Sequence, residues 1–570
     1  MTETNAFINE EKSTKKRSRR HGSRRHSSSS SVSGGGGRRR RAQKRCSISG
    51  FIAQLFFNFI TKIVRLVFQL IYGVKGETMP AIADPILLES ATSLARKIRK
   101  QELTSVQVLE SFIRRIKDVN PKLNCCVDNR FDEALQEAAE ADKLIKSGEH
   151  TEEELEKLKP YLGVPISTKD CIAVKGLLHT AGLYARKDVR ATEDATAMAL
   201  MRQAGAIPFA LTNISEVCMW WESNNSVHGR TRNAYDSNRI VGGSSGGEGC
   251  IQSAAASPFG LGSDIGGSIR MPAFFNGVFG HKPSKLIVSN KGQFPMPFTA
   301  EQNSFLGIGP MSRFAEDLKP MLRIIAGDKA SELNLDEPVD LQKVRFFYQE
   351  TDGGGRLVTP VDADLLAGMQ RTVQHLRQKL KAEVVEKVQL EQFRQSTIIW
   401  FANMKDDSGY TFAHQLGDLK VAINPYVELV KWVFGASKHT FIGLLTAIMD
   451  KTQVQYGSSK YKHMVKKRDE LRAEMQELLG DDGVLLYPTH PTVAPYHNEP
   501  IFRPINFSYT GIVNVLGFPA TAVPLGQLGS EGVPLGLQVI ANFNNDRLCL
   551  AVAEELERAF GGWARPEVKV

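Results

Sequence analysis

The sequence predicts a protein of the α/β class. Two observations carry that reading. From about Pro85 onward, segments of helical periodicity alternate with short apolar runs of strand length, so Leu87 to Val119 and Asp546 to Phe560 read as helices and Ile207 to Leu211 as a strand. The apolar share of 42% and charged share of 24% are those of an ordinary folded chain, and no internal repeat points to a solenoid. A glycine-rich stretch, Asp352 to Arg356, reads either as a junction between subdomains or as a surface loop.

The first 50 residues differ from the rest. They hold 14 Lys and Arg against 3 Asp and Glu, a charge of +11 where the whole chain carries +10, which leaves −1 for the remainder. The body is therefore not basic, and nucleic acid is not an expected partner. Residues 1–50, rich in Arg, Ser and Gly, have too little apolar surface to offset their ordering entropy and are expected to be a disordered tail. Such a tail serves as a solvated spacer, a localisation patch or an attraction to anionic lipid.

Residues 51–74 form a second region. Phe51 to Gly73 holds enough Phe, Ile, Leu and Val for a helix of about 30 Å, the thickness of a bilayer core. Lys62 and Arg65 oppose a span at roughly 2.5 to 3.5 kcal/mol each, and the apolar side chains return about 0.3 to 0.6 kcal/mol apiece, a near balance. Helical phase offers a second arrangement, a helix lying in the membrane interface. Gln54, Asn58, Thr61, Lys62, Arg65 and Gln69 share one stripe, with Ile52, Leu55, Phe59, Ile63, Leu66 and Leu70 opposite. A helix docked on the body is a third reading. A cleaved signal peptide fits poorly, because the basic region is long, the apolar run contains charges and no small-residue cleavage site follows. A spanning helix behind a basic tail would put the body on the lumenal or external side, whereas an interfacial helix leaves it cytoplasmic. Asn213, Asn224 and Asn506 begin N-x-S/T triplets that bear on this choice.

Seven cysteines, at 46, 125, 126, 171, 218, 250 and 549, make no C-x-x-C pair and no His/Cys spacing suited to zinc. Free thiols and no metal are expected.

The densest chemistry lies between Ile240 and Lys285, where Ser244 and Ser268 stand 24 residues apart, each among glycines, with a helix-like run between them. Glycine lets a backbone approach a ligand, so each cluster is suited to present a serine together with amide N–H groups. A nucleophilic serine also needs a base. Upstream, Val164 to Thr168 reads as a short apolar strand ending in Lys169, where burial would disfavour the charged amine and so suit it to that role. A competing reading takes Gly242-Gly243-Ser244-Ser245-Gly246 as a G-x-S-x-G nucleophile elbow, with partners among His281, His439, His463, His490 and His497. The polar run Asn233 to Arg239 leaves little room for the strand that should precede it. Gly260-Leu261-Gly262 reaches Gly266 one residue too late for G-x-G-x-x-G, so no nucleotide cofactor is expected.

Lys169, Gly242-Gly243-Ser244-Ser245-Gly246-Gly247 and Asp264-Ile265-Gly266-Gly267-Ser268-Ile269-Arg270, in this order and spacing, resemble the amidase signature family. Within it the chain is most similar to the membrane-bound fatty-acid amide hydrolases of type 2. The resemblance covers residues 85–566, including Gly517-Phe518-Pro519-Ala520 and Gly532-Val533-Pro534-Leu535-Gly536-Leu537-Gln538. It implies a large mixed twisted sheet covered by helices on both faces. It also implies Ser268 as nucleophile, Lys169 as base and Ser244 as a proton bridge preceded by a cis peptide bond. The N–H groups of Ile265, Gly266, Gly267 and Ser268 are implied as oxyanion donors, and Cys218 as a residue beside the substrate. Ser245, Asp264 and Arg270 are implied as supports. No cofactor is implied.

For the substrate, Cys218-Met219-Trp220-Trp221 would suit an acyl chain, although such residues are as often plain core. Ile423 to Met449 is a second apolar stretch, read either as a membrane-facing entrance or as a buried run. The leading expectation is a membrane-associated serine hydrolase of fatty-acid primary amides or N-acyl ethanolamines, with a homodimer left open. A small-amide amidase and an inactive membrane scaffold are the alternatives.

Overall fold

The computed structural model describes residues 36–73, 76, 77, 79–452 and 454–566, with the backbone alone before Gln54. The expected tail lies outside the described residues as far as residue 35, as do the side chains of Cys46 and Ile52. Helix α1 spans Gly36–Tyr72 and so begins ahead of the apolar run. Its RRRRAQKR segment consists of good helix formers and contains no proline to stop it. The chain falls into two units, Met1–Ala53 and Gln54–Val570, so the second half of α1 belongs with the body.

The helix expected over Leu87 to Val119 is two helices, α2 Ala91–Arg99 and α3 Ser105–Leu123. No Gly or Pro marks the break. Gln101 turns the chain with a left-handed φ of +58°, and Thr104 starts α3 through a capping box with Gln107, a T-x-x-Q signal present in the sequence. Helices α4 Gly246–Ser253, α5 Arg270–Phe275, α6 Ser396–Asn403, α7 Pro425–Val433, α8 Phe441–Thr452, α9 Ser508–Leu516 and α10 Asp546–Phe560 matter below.

Eleven strands among the described residues form one mixed sheet. They are β1 Cys126–Asn129, β2 Pro165–Lys169, β3 Ile207–Thr212, β4 Phe259–Asp264, β5 Phe279–Lys282, β6 Gly307–Ser312, β7 Arg345–Tyr348, β8 Val384–Lys387, β9 Gly483–Tyr487, β10 Ala520–Leu528 and β11 Pro534–Ala541. Their spatial order is β1-β3-β2-β4-β6-β5-β10-β11-β9-β7-β8. Strands β2 and β3, β2 and β4, β7 and β8, and β7 and β9 run parallel, and the other pairs antiparallel. Successive strand residues point to opposite faces. In β9, Val484 and Leu486 join one buried apolar cluster, Leu485 and Tyr487 another, so both faces of the sheet are covered.

The Asp352 to Arg356 stretch is a tight loop. Asp352 accepts hydrogen bonds from the N–H groups of Gly354 and Gly355, both at 3.1 Å. Asn213 and Asn506 are fully buried and hydrogen-bonded, so neither side chain is presented to solvent.

Candidate active site

Parallel pairing places the site. Ser167 and Thr168 of β2 pair with Gly260 and Leu261 of β4, so both strands end on the same side of the sheet. Lys169 closes β2 there, and β4 runs out through Ser263 and Asp264 into the loop that carries Ser268. Lys169 is wholly buried, and its Nζ donates to Ser244 Oγ at 2.9 Å, Ser263 Oγ at 3.0 Å and Ser263 O at 3.3 Å. No carboxylate pairs with it among the described residues. The neighbouring Asp170 is taken by the N–H of Thr180 at 2.7 Å, by the Thr180 hydroxyl and by His228 Nε2 at 3.3 Å.

Ser244 sits in the turn ahead of α4, after a cis Gly243-Ser244 peptide. Gly247 lets this turn seat against β3, because a Cβ there would lie 2.4 Å from Asn213 N. Ser245 joins the two serine loops. Its N–H donates to Ser268 O at 3.1 Å, and its hydroxyl lies 3.4 Å from both the N and the O of Ser263. No strand leads into Ser244, and no histidine bonds to it among the described residues, so the elbow reading lacks both its parts.

The loop from Ile265 to Ile269 is braced from three sides. Asp264 accepts from the N–H groups of Gly267 at 2.6 Å, Ile269 at 3.1 Å and Arg270 at 3.3 Å. Trp400 of α6 donates to Ile265 O at 3.0 Å, and Thr510 of α9 donates to Gly266 O at 2.8 Å. With those carbonyls tied back, the N–H groups of Ile265, Gly266 and Ser268 have no acceptor among the described residues. Gly267 differs from the expectation in that its N–H is already engaged by Asp264. At φ +119°, with Thr510 Oγ1 2.0 Å from where a Cβ would be, only glycine fits that position.

Beneath the loop lies the pair of Arg270 and Asp264, both at zero exposure. Arg270 donates to Asp264 at 3.1 Å from Nε and Nη2, and its remaining donors reach Gln538 Oε1 at 2.9 Å, Thr510 O at 3.0 Å and Asn514 Oδ1 at 2.7 Å. Burial alone would raise the Asp264 carboxyl, but the Arg270 charge and hydrogen bonds hold it well below the usual carboxylate range. Glu248 of α4 accepts from Ser167 of β2, Thr212 of β3 and Gln252, and no cation hydrogen-bonds to it among the described residues. Burial pushes its carboxyl up to about 7.

Two cavities meet at Ser268. One is lined by Cys218, Met219, Trp220, Trp221, Ile265, Met271 and Trp400, by Ile442, Leu445 and Met449 of α8, and by Ile501, Ile505 and Phe507. The other is lined by Ser244, Ser263, Gln293, Gln302 and Gln415. Cys218 borders both, and Val217 and Cys218 hold left-handed φ of +52° and +59°, rare for a β-branched residue. The Cys171 thiol, Lys169 and Ser244 lower the Cys218 thiol, whereas burial raises Cys171.

Ser263, Trp400, Thr510, Asn514 and Gln538 were not singled out from the sequence. Ser263 adjoins the Asp264 motif and Gln538 ends the last one, whereas nothing local marks the other three.

The Amidase family profile matches residues 107–550. Fatty-acid amide hydrolase 2 of Homo sapiens is 46% identical over 496 residues, 86% of this chain and 92% of that protein. Fatty-acid amide hydrolase 2-A of Danio rerio is 48% identical over 493 residues, again 86% of this chain and 92% of that protein. In fold, a solved fatty acid amide hydrolase aligns with a TM-score of 0.66 at 22% identity, over 85% of this chain and 86% of the other. With the profile spanning most of the body and nearly half of the residues identical to those relatives, the chain belongs to the amidase signature family.

Proposed function

We propose that the body, residues 85–566, hydrolyses fatty-acid amides, either primary amides or N-acyl ethanolamines, through an acyl-enzyme on Ser268. The observation that carries this reading is the buried Lys169–Ser244 contact beside Ser268, at the end of a large apolar cavity. In its uncharged form Lys169 takes the Ser244 proton as Ser244 takes that of Ser268, and Ser268 Oγ bonds to the substrate carbonyl carbon. The N–H groups of Ile265, Gly266 and Ser268 donate to the developing oxyanion. As the C–N bond breaks, the proton returns from Lys169 through Ser244 to the departing nitrogen. Water then attacks the ester, gives its proton to the same relay, and releases fatty acid and free Ser268.

The lining favours a lipid acyl group over a small polar amide, since the larger cavity is walled by Met, Trp, Ile, Leu and Phe. The relatives named for fatty-acid amides support the same substrate class. Association with a membrane agrees with the stretch Gln54–Tyr72, long and apolar enough to cross one by length and composition.

Purified protein assayed with oleamide, an N-acyl ethanolamine and glutamine tests the reading. Turnover of the lipid amides that is lost in Ser268→Ala and Lys169→Ala is expected, and ammonia released from glutamine alone would overturn it. A fluorophosphonate probe should label the wild type and not Ser268→Ala.

A further inference from the structure

The second half of α1 is docked on the body along the face that carries Gln54, Asn58, Thr61, Arg65, Phe68 and Tyr72, whereas Lys62 and Gln69 of the polar stripe are exposed. Gln54 Nε2 donates to Val358 O at 3.0 Å, and the N–H of Leu357 donates back to Gln54 Oε1 at 3.1 Å. One helical turn after another, Arg503 donates to Thr61 O at 3.1 Å, Arg65 pairs with Asp362 at 3.3 Å and with Glu531, and the Phe68 ring meets Phe502 at 6.0 Å. Tyr72 stacks on Tyr496 at 5.6 Å, and Asn238 donates to its carbonyl at 3.3 Å. Asp362 and Glu531 belong to the body's own network, Asp362 accepting from the N–H of Val493 at 3.0 Å and Glu531 pairing with Arg239 at 2.7 Å.

The docked length, Gln54 to Tyr72, is about 27 Å of helix, nearly all that a hydrocarbon core would require. A span would therefore bring Asp362, Glu531 and Arg503 into the hydrocarbon with it, at several kcal/mol for each charge. The opposite face is free of the body. Phe56, Phe59, Leu66 and Leu70 are all more than half exposed, at 65%, 61%, 56% and 77%. Lys62 is exposed too, and its long stem lets the ammonium reach headgroups from an interfacial helix.

The contact reaches the cavity. Phe502 and Arg503, which hold α1, lie between Ile501 and Ile505, which line the acyl cavity. The same cavity is lined by Ile442, Leu445 and Met449 of α8, which follows α7 with its exposed Val430 and Val433 and the exposed Phe434 just after it.

We propose that residues 54–72 do not cross the bilayer but lie in the plane of a single leaflet, as a strap whose docked side also fixes one wall of the cavity mouth. The occupant of its apolar face is lipid, and the excess of Lys and Arg in residues 1–50 favours an anionic leaflet. The link from the strap to the cavity mouth rests on the lipid-amide reading, whereas the position of the helix does not.

Phe56, Ile63 and Leu70 are seven residues apart on one face, so spin labels at Phe56→Cys, Ile63→Cys and Leu70→Cys report depth along the axis. They are placed in the full chain in phosphatidylcholine and phosphatidylserine vesicles. Equal, shallow depths are expected from oxygen and nickel-chelate relaxation. A gradient through the bilayer centre, with Phe56 and Leu70 separated by about 21 Å, would overturn the proposal, as would full aqueous exposure of all three, the result for a protein partner. Neither outcome depends on turnover, so a failure of the amide reading stays separate. Arg65→Glu should lower long-chain amide turnover in vesicles about tenfold, with a short water-soluble amide unaffected. An equal loss on both substrates would refute the coupling to the cavity mouth.

Discussion

Lys169 Nζ lies 3.0 Å from Ser263 Oγ, within 0.1 Å of the 2.9 Å of its bond to Ser244. Two hydroxyls and a carbonyl, rather than a carboxylate, therefore aim the amine. Ser263→Ala should lower kcat/KM about tenfold, the effect of one hydrogen bond of about 1 to 1.5 kcal/mol, with an unchanged far-UV spectrum. Lys169→Ala should cost more, about 100-fold to 10,000-fold, as loss of a general base does.

Arg270→Leu should destabilise the fold by about 3 to 5 kcal/mol, because Asp264 would remain buried without its cation. Urea unfolding measures this. In the wild type, the lowered Asp264 contributes stability that is fully present above its ordinary value of 3.8 and is lost as pH falls through its lower folded value. Acid unfolding of the wild type should show that loss below about pH 4.

Glu248 behaves in the opposite sense. Its folded value of about 7 exceeds the ordinary 4.5, so the folded state holds the extra proton between them and stability falls as pH rises across that window. Glu248→Gln removes the dependence. The variant should match the wild type near pH 4.5 and exceed it by on the order of 3 kcal/mol at pH 8, read by thermal melts.

Cys218 should be the first described cysteine to react with iodoacetamide, since it is the most exposed of them and its thiol is lowered. Peptide mapping should find the adduct at Cys218, with loss of turnover, and a bound long-chain amide should slow the labelling. Preferential labelling of Cys125 or Cys250 would refute this.

Glycine density made the serine loops legible, and Lys169 was legible because it ends an apolar run of strand length. The same local logic joined α2 to α3, since the break at Gln101 is made by a non-glycine residue in a left-handed turn. Trp400, Thr510 and Asn514 were out of reach for another reason. They act on a loop more than 120 residues away in sequence, through a carbonyl or one polar atom each, and only the folded sheet brings them there. The polar stripe of α1 was visible as a pattern, but its partners Asp362, Glu531 and Arg503 were not, because nothing near them in sequence refers to a helix.

The wall of the larger cavity has different roots from the serine loops. Ile442, Leu445, Met449, Ile501 and Ile505 lie outside the central strands, whereas Lys169, Ser244 and Ser268 are tied to β2, β4 and the Arg270 cluster. Retargeting to a new acyl group is thus an exercise in recutting the wall alone, and libraries confined to those five positions should retain the hydrolytic step while drifting in chain-length preference.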